Sequence, residues 1–245
     1  MEPTPAPPRR PRLVETHNWR AALREFTVIV AGVLAALCAQ AWWDWRQERG
    51  REHDYLRQLL ADTRENERRL SDAIRDDSAA NRSIGRVVDA LTRPGPLPPS
   101  DSMVKWTLES GNSSEFQALA GTYEALLGTG DLRLIRNDTL RALLVAYGGR
   151  LGTDRDMLML MLEMGLGSVD VMPGKLPFTR RIFLDGPTRD TGFDFEPIRD
   201  DPEVAALLFR LQAANSNRLS RLVRMRDDTR RLRRALEAEP SLRRR

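Results

Sequence analysis

Cysteine, histidine and lysine are nearly missing from this sequence. Its one cysteine, Cys38, excludes an internal disulfide framework, and with only His17 and His53 beside it there is no Cys/His cluster of the kind that holds zinc. No Gly-x-Ser-x-Gly elbow, His-Glu-x-x-His pair or Cys/His couple is present. A net charge of one sign is also lacking. The 39 basic residues are offset by 35 acidic ones, interleaved nearly everywhere, so the pI of 9.8 overstates the field and nucleic acid is not an expected partner. The basic residues are almost all arginine, with lysine only at 105 and 175.

What is present begins with a polar, proline-broken tail. The basic run PTPAPPRRPR opens a segment, residues 1–25, that is expected to stay disordered. Residues 26–43, FTVIVAGVLAALCAQAWW, then carry no charged side chain. As a helix they would span roughly 27 Å, close to the ~30 Å hydrocarbon core of a bilayer. Trp42, Trp43 and Trp45 cluster at the far end, where indoles favour the headgroup zone, and this segment is read as a single transmembrane helix. The competing readings are a buried core helix and a signal peptide cleaved after Ala39-Gln40-Ala41, which would release a secreted protein starting at Trp42. A lipoprotein site at Cys38 is excluded by Leu37 before it. Five arginines (9, 10, 12, 20, 24) precede the span and four (46, 49, 51, 57) follow it, so the positive-inside count is nearly balanced. A short arginine-rich tail resists export. The expected topology is an N-terminus in the cytoplasm and a main body in the periplasm, anchored in a bacterial inner membrane.

The body reads as all-α. Residues 44–92 are expected to form a long stalk-like helix, roughly 70 Å at the helical rise. One seven-residue row runs through Leu56, Thr63, Leu70, Asp77, Ile84 and Leu91, with a companion row at Leu60, Glu67, Ile74, Asn81 and Val88. The proline run at 94–99 stops it. Short helices are predicted over 100–165: one capped by Ser100 or Asp101 and carrying Val104, Trp106 and Leu108; one capped by Ser113 or Ser114 with Phe116, Leu119, Ala120, Tyr123, Leu126 and Leu127 on one face; and one capped by Asn137 or Asp138 that Gly148, Gly149 and Gly152 break. The methionine-leucine run 157–164 is read as a central bundle helix rather than an adaptable binding face. Residues 166–201 are expected to be a loop or small hairpin, through Arg181–Leu184 and Phe193–Phe195. A long helix over 202–238 opens on Pro202, with Leu208, Asn215, Leu222, Thr229 and Leu236 as its row beside Val204 and Leu211, and 239–245 is a basic tail. The fold expected is an elongated antiparallel helical bundle behind one transmembrane helix, with short middle helices.

The chain also carries a resemblance. The anchor Leu23-Arg24-Glu25-Phe26 through Gly32-Val33 to Ala41-Trp42-Trp43, and the segment from Thr122 through Gly128-Thr129-Gly130-Asp131 and Leu132-Arg133-Leu134-Ile135-Arg136-Asn137, resemble an uncharacterised family of bacterial single-pass membrane-anchored helical proteins. The family pattern has Ser where Gly128 stands, and Tyr147 matches its closing tyrosine. The resemblance covers the anchor, the first long helix and this middle motif, and implies a membrane location without a known chemistry.

Candidate chemistry is sparse. The Gly128–Asp131 turn lacks the Gly-x-x-x-x-Gly-Lys-Ser/Thr spacing of a phosphate loop and is read as a helix cap and turn. Tyr123, Thr129, Gly130 and Asn137 are the candidate ligand-binding or helix-orienting residues, with Leu134 and Ile135 buried and Arg133 and Arg136 in solvent or paired with Glu124 or Asp138. The carboxylates Asp190, Asp194, Glu196, Asp200, Asp201 and Glu203 admit a hard cation and so a metal-dependent enzyme, but a capped helix start explains them with less. No catalytic residue, metal or cofactor is assigned. The expected function is a non-enzymatic module that binds a partner or senses a ligand at the envelope, its partners being the lipid bilayer and an unidentified protein or a second copy. The arginines at 230–234 and 243–245 would approach anionic headgroups if the last helix returns towards the anchor; otherwise they are a solvated tail.

Overall fold

The computed structural model describes residues 19–111, 116–169, 174, 176 and 193–243, with side chains described outside 20–22 and 162–169. Six α-helices are described: α1 (Trp19–Thr92), α2 (Ser100–Ser110), α3 (Gly121–Gly128), α4 (Asp138–Val169), α5 (Pro202–Ala238) and α6 (Pro240–Arg243). Two 3-10 turns, Asp131–Leu134 and Glu196–Ile198, complete the set, and no strand occurs among the described residues. The chain divides into two compact units, Met1–Gly50 and Arg51–Arg245.

In the first unit the described part of α1 has no core of its own. Phe26, Val28, Ile29, Val33, Leu34 and Leu37 are all more than half exposed, and the apolar window is buried nowhere. This helix is long and apolar enough to cross a membrane.

The second unit is built on the seven-residue repeat of α1. The row Leu56, Thr63, Leu70, Asp77, Ile84 and Leu91 is buried throughout. Its companion is not the row at Leu60 but the row three residues on, Leu59, Asn66, Ala73, Ala80 and Val87, which is buried at every step and begins at Glu52. The two rows alternate by three and four, as in a coiled-coil seam, but on the other side of the Leu56 row from the one expected. Four polar residues, Glu52, Thr63, Asn66 and Asp77, lie in this seam, and each is matched by a partner on a neighbouring element or its own backbone.

α5 returns antiparallel to α1. Asn81 faces Ser216, Glu67 faces Arg230 and Arg233, Arg64 faces Glu237, and His53 reaches Ser241. Its buried rows are Val204, Leu211, Arg218, Met225 and Leu232, and Leu208, Leu222, Thr229 and Leu236. Asp201 caps it, its Oδ1 accepting from the Glu203 and Val204 amides at 2.8 and 3.3 Å.

α4 runs antiparallel to α5, through Tyr147 with Thr229, Arg150 with Asp228 and Arg221 with Asp154. Gly148, Gly149 and Gly152 do not break it: α4 is continuous for 32 residues. Gly148 has a packing reason, since a Cβ there would lie 2.0 Å from the Tyr123 ring. The described part of the methionine-leucine run is half core and half surface, with Leu158 buried and Met159 and Leu160 exposed.

The segment from α2 to the 3-10 turn descends along α1 in the opposite sense. Residues 116–120 are irregular, not helical as expected, because Asn66 supplies what a helix would: its Nδ2 donates to the Leu119 carbonyl at 2.9 Å and its Oδ1 accepts the Leu119 amide at 2.7 Å. The expected caps of α2 are also absent. Pro99 precedes that helix, and Ser100 Oγ donates to the Phe193 carbonyl at 2.6 Å. The caps expected at Ser113 and Ser114 and the hairpin strand at 181–184 lie outside the described residues. At 193–195 the chain is irregular, with the Phe193 and Phe195 rings edge to face at 4.8 Å.

The core forms three clusters. One gathers Ile84, Val87 and Leu91 with Met103, Leu176, Phe195 and Leu207. A middle one holds Leu70, Ala73, Leu158, Leu222 and Met225. The third, nearest Arg51, holds Leu56, Leu59, Leu126, Ile135, Leu144 and Leu236. Polar layers separate them, as the mixed seam implies.

Candidate functional site

The middle motif closes the Arg51 end of the bundle unit. Gly130 takes a left-handed φ of 72°, which turns the chain out of α3 into the 3-10 turn and which glycine adopts without a Cβ clash. Thr129 Oγ1 donates to the Ala125 carbonyl at 2.9 Å, closing the end of α3. Leu134 and Ile135 are buried. Asn137 starts α4: its Oδ1 accepts the Leu140 amide at 3.1 Å, while its Nδ2 donates to Glu239 Oε2 at 2.9 Å and so ties the turn to the end of α5. Tyr123 lies over Gly148 against the neighbouring cluster. The four candidate residues therefore share one end of the unit, and the contacts described for them run to the protein's own backbone, rings and side chains.

Two acids that sequence reasoning passed over anchor this turn to α1. Glu52 Oε1 accepts the Arg136 amide at 2.9 Å, with the Arg136 guanidinium 3.8 Å from its other oxygen. Asp131 Oδ2 accepts from the Tyr55 hydroxyl at 2.9 Å and lies 3.8 Å from Arg51. Arg136 thus pairs with Glu52 rather than with Glu124 or Asp138; Asp138 instead engages Arg141. The signal for Glu52 was in the chain, as the first member of the row that continues through Leu59 and Asn66.

Other polar groups bridge the helices. Burial would raise the Glu67 carboxyl, but hydrogen bonds from Arg230 and Arg233 outweigh it and hold the group below its ordinary value. Tyr147, buried and sharing a hydrogen bond with Thr229 at 3.2 Å, is pushed up, chiefly by that burial. A cavity of about 10 Å³ under Leu91 and Leu208 holds at most about one water. An open groove on α4 is lined by Val145, Ala146, Gly149, Arg150, Thr153 and Asp154. Neither is lined by Tyr123, Thr129, Gly130 or Asn137.

Of the acids considered for a cation, Asp194 accepts the Glu196 amide at 3.0 Å and Asp201 caps α5; Asp190 lies outside the described residues. Among the described residues no group of three or more His, Cys, Asp or Glu is placed to hold a metal ion. In the first unit Trp42, Trp43 and Trp45 are exposed, with the Arg46 guanidinium 5.7 Å from the Trp42 ring centre and that of Arg49 4.9 Å from the Trp45 ring centre.

Comparison with protein-family models finds no match, and neither the curated proteins nor the solved structures give a significant one.

Proposed function

We propose that the chain is a membrane-anchored helical module without catalytic activity, which holds its bundle unit at a bacterial envelope membrane to bind a partner or sense a ligand. One contrast supports this reading. The second unit buries its leucines within itself, whereas the 26–43 stretch leaves its apolar side chains exposed on all sides. Apolar surface on that scale needs an apolar solvent or a partner, and the tryptophans with arginines over their rings at one end suit a bilayer interface. In this reading the helix crosses an inner membrane once, with the arginine-rich N-terminus in the cytoplasm and the bundle unit in the periplasm. The resemblance to uncharacterised membrane-anchored proteins points the same way.

Fractionating cells that express the full chain tests the anchor. The protein is expected in the membrane pellet after alkaline carbonate extraction, with an N-terminal sequence upstream of Phe26 and a bundle unit digested by protease added to the periplasmic side. A soluble product starting at Trp42 would mark a signal peptide and end this reading. Crosslinking the anchored protein in cells, then identifying its neighbours, tests partner binding against self-association.

A further inference from the structure

At the Arg51 end of the bundle unit, folding sorts the charges by sign. Two acids are turned inwards: the Glu52 and Asp131 side chains are only 7% and 12% exposed, committed to Arg136 and to Tyr55 and Arg51. Glu237 is taken by Arg64 and Arg233, and Glu239 by Asn137. The guanidiniums of Arg57, Arg133 and Arg243 face solvent. Asp54, Glu124 and Asp138 are exposed as well, Asp138 beside Arg141, so the outward charge is not purely basic, but Arg51 and Arg136 add to the other three arginines and its balance is positive. A sequence count, with acids and bases in near equality, hides this. The C-terminal turn is fixed there by His53, which accepts from Arg57 Nη2 at its Nε2, 2.7 Å away, and donates through Nδ1 to the Ser241 carbonyl at 3.1 Å. Leu242 packs into the cluster at that end.

Chain connectivity bounds the distance between this end and the tryptophans. Five residues separate Trp45 from Arg51. Even fully stretched, the link from one to the other is about 22 Å long.

We propose that this basic end, formed by Arg57, Arg133 and Arg243, is a docking surface for the anionic phospholipid headgroups of the membrane that holds the anchor. The proposal rests on the anchored reading above and adds a lipid preference to it. Guanidiniums suit phosphate oxygens because their paired N–H groups reach two oxygens at once. Each basic side chain near an anionic bilayer contributes roughly fivefold to binding, so neutralising three is expected to weaken the response on the order of 100-fold.

The test uses the full chain in lipid nanodiscs, with Cys38→Ala and a polarity-sensitive fluorophore attached through Ala238→Cys. Discs of phosphatidylcholine are compared with discs in which part of the lipid is phosphatidylglycerol. The expected result is a blue-shifted emission only with phosphatidylglycerol, reversed by ~1 M salt, where the screening length falls to ~3 Å. Arg57→Gln, Arg133→Gln and Arg243→Gln together should abolish the shift at an unchanged melting temperature, and the matching lysine triple should keep it. Equal emission in the two kinds of disc, or a glutamine triple that responds as the parent does, overturns the proposal. If the glutamine triple melts lower, the salt reversal of the parent decides instead. A shift produced by inorganic phosphate at matched ionic strength in phosphatidylcholine discs would make this a free-anion site and overturn the lipid assignment. A chain that does not enter discs at all fails the anchor reading, a separate outcome.

Discussion

Arg218 on α5 donates from Nε to Asp77 Oδ2 on α1 across 2.6 Å, with side chains only 11% and 3% exposed. Each sits between apolar neighbours in its buried row, Asp77 between Leu70 and Ile84 and Arg218 between Leu211 and Met225. A buried ion pair contributes little net stability, because desolvation offsets its attraction, but one partner without the other is a stranded charge. The pair therefore sets register. Sliding α5 by one heptad would bury Arg218 against Leu70 or Ile84.

Removing one partner should be far worse than removing both. Arg218→Met alone is expected to destabilise the bundle unit by about 3–5 kcal/mol. Asp77→Leu combined with Arg218→Met should recover most of that loss. Urea melts of the three variants in detergent give the coupling directly, and additive losses would refute the register role.

The glycines of α4 should differ in sign. Gly148→Ala forces a methyl group into the Tyr123 ring, a clash at 2.0 Å that displaces the ring and is expected to cost about 1–2 kcal/mol. Gly149→Ala and Gly152→Ala meet nothing within 4 Å and should each stabilise by up to about 1 kcal/mol, the helix preference of alanine. Thermal melts of the single variants test this. Adding Tyr123→Ala should remove the Gly148→Ala penalty.

Asn66 is the sole side chain described as bonding both backbone groups of Leu119. Asn66→Ala would leave the amide and the carbonyl without that partner, at an expected cost of about 1–3 kcal/mol. Hydrogen exchange should report it locally, as lost protection at the Leu119 amide while α5 amides stay protected.

Acid should weaken ion pairs along α1, at Glu65, and across its joint with α5, at Glu67 and Glu237. Hydrogen bonds from Arg68 and then Arg69 lower Glu65 to about 2 from an ordinary 4.5. Glu237 is lowered chiefly by Arg64, burial opposing, with Arg233 adding to it. Glu67 is lowered against its own burial. Folded values below the unfolded one mean the folded state binds fewer protons, so the stabilisation is complete above about pH 4.5 and disappears as pH falls towards about 2. The melting temperature should be insensitive to these groups between pH 5 and 7, then drop. Glu67→Gln should melt lower at neutral pH and lose less on acidification; an unchanged acid slope would show that Glu67 carries none of it.

The all-helical character, the uncharged stretch and the first buried row were legible in the chain, because each rests on local spacing: an apolar run, or a residue repeated every seventh position. Leu56, Leu70, Ile84 and Leu91 announce one face of a helix wherever it packs. The second row was not legible, since Leu59 and Leu60 are alike in type and only the position of α5 decides which turns inwards. The same holds for Phe116 to Ala120, whose helical spacing yields to an asparagine some fifty residues earlier in the chain that satisfies the backbone from outside. Gly148, which reads as a breaker, is a helix residue because a tyrosine needs its space. Charge divides in the same way. Composition determined that acids and bases nearly cancel; only the tertiary structure decided which of them face water, because packing of the middle turn on α1 buries the carboxylates of Glu52 and Asp131 and leaves guanidiniums outside.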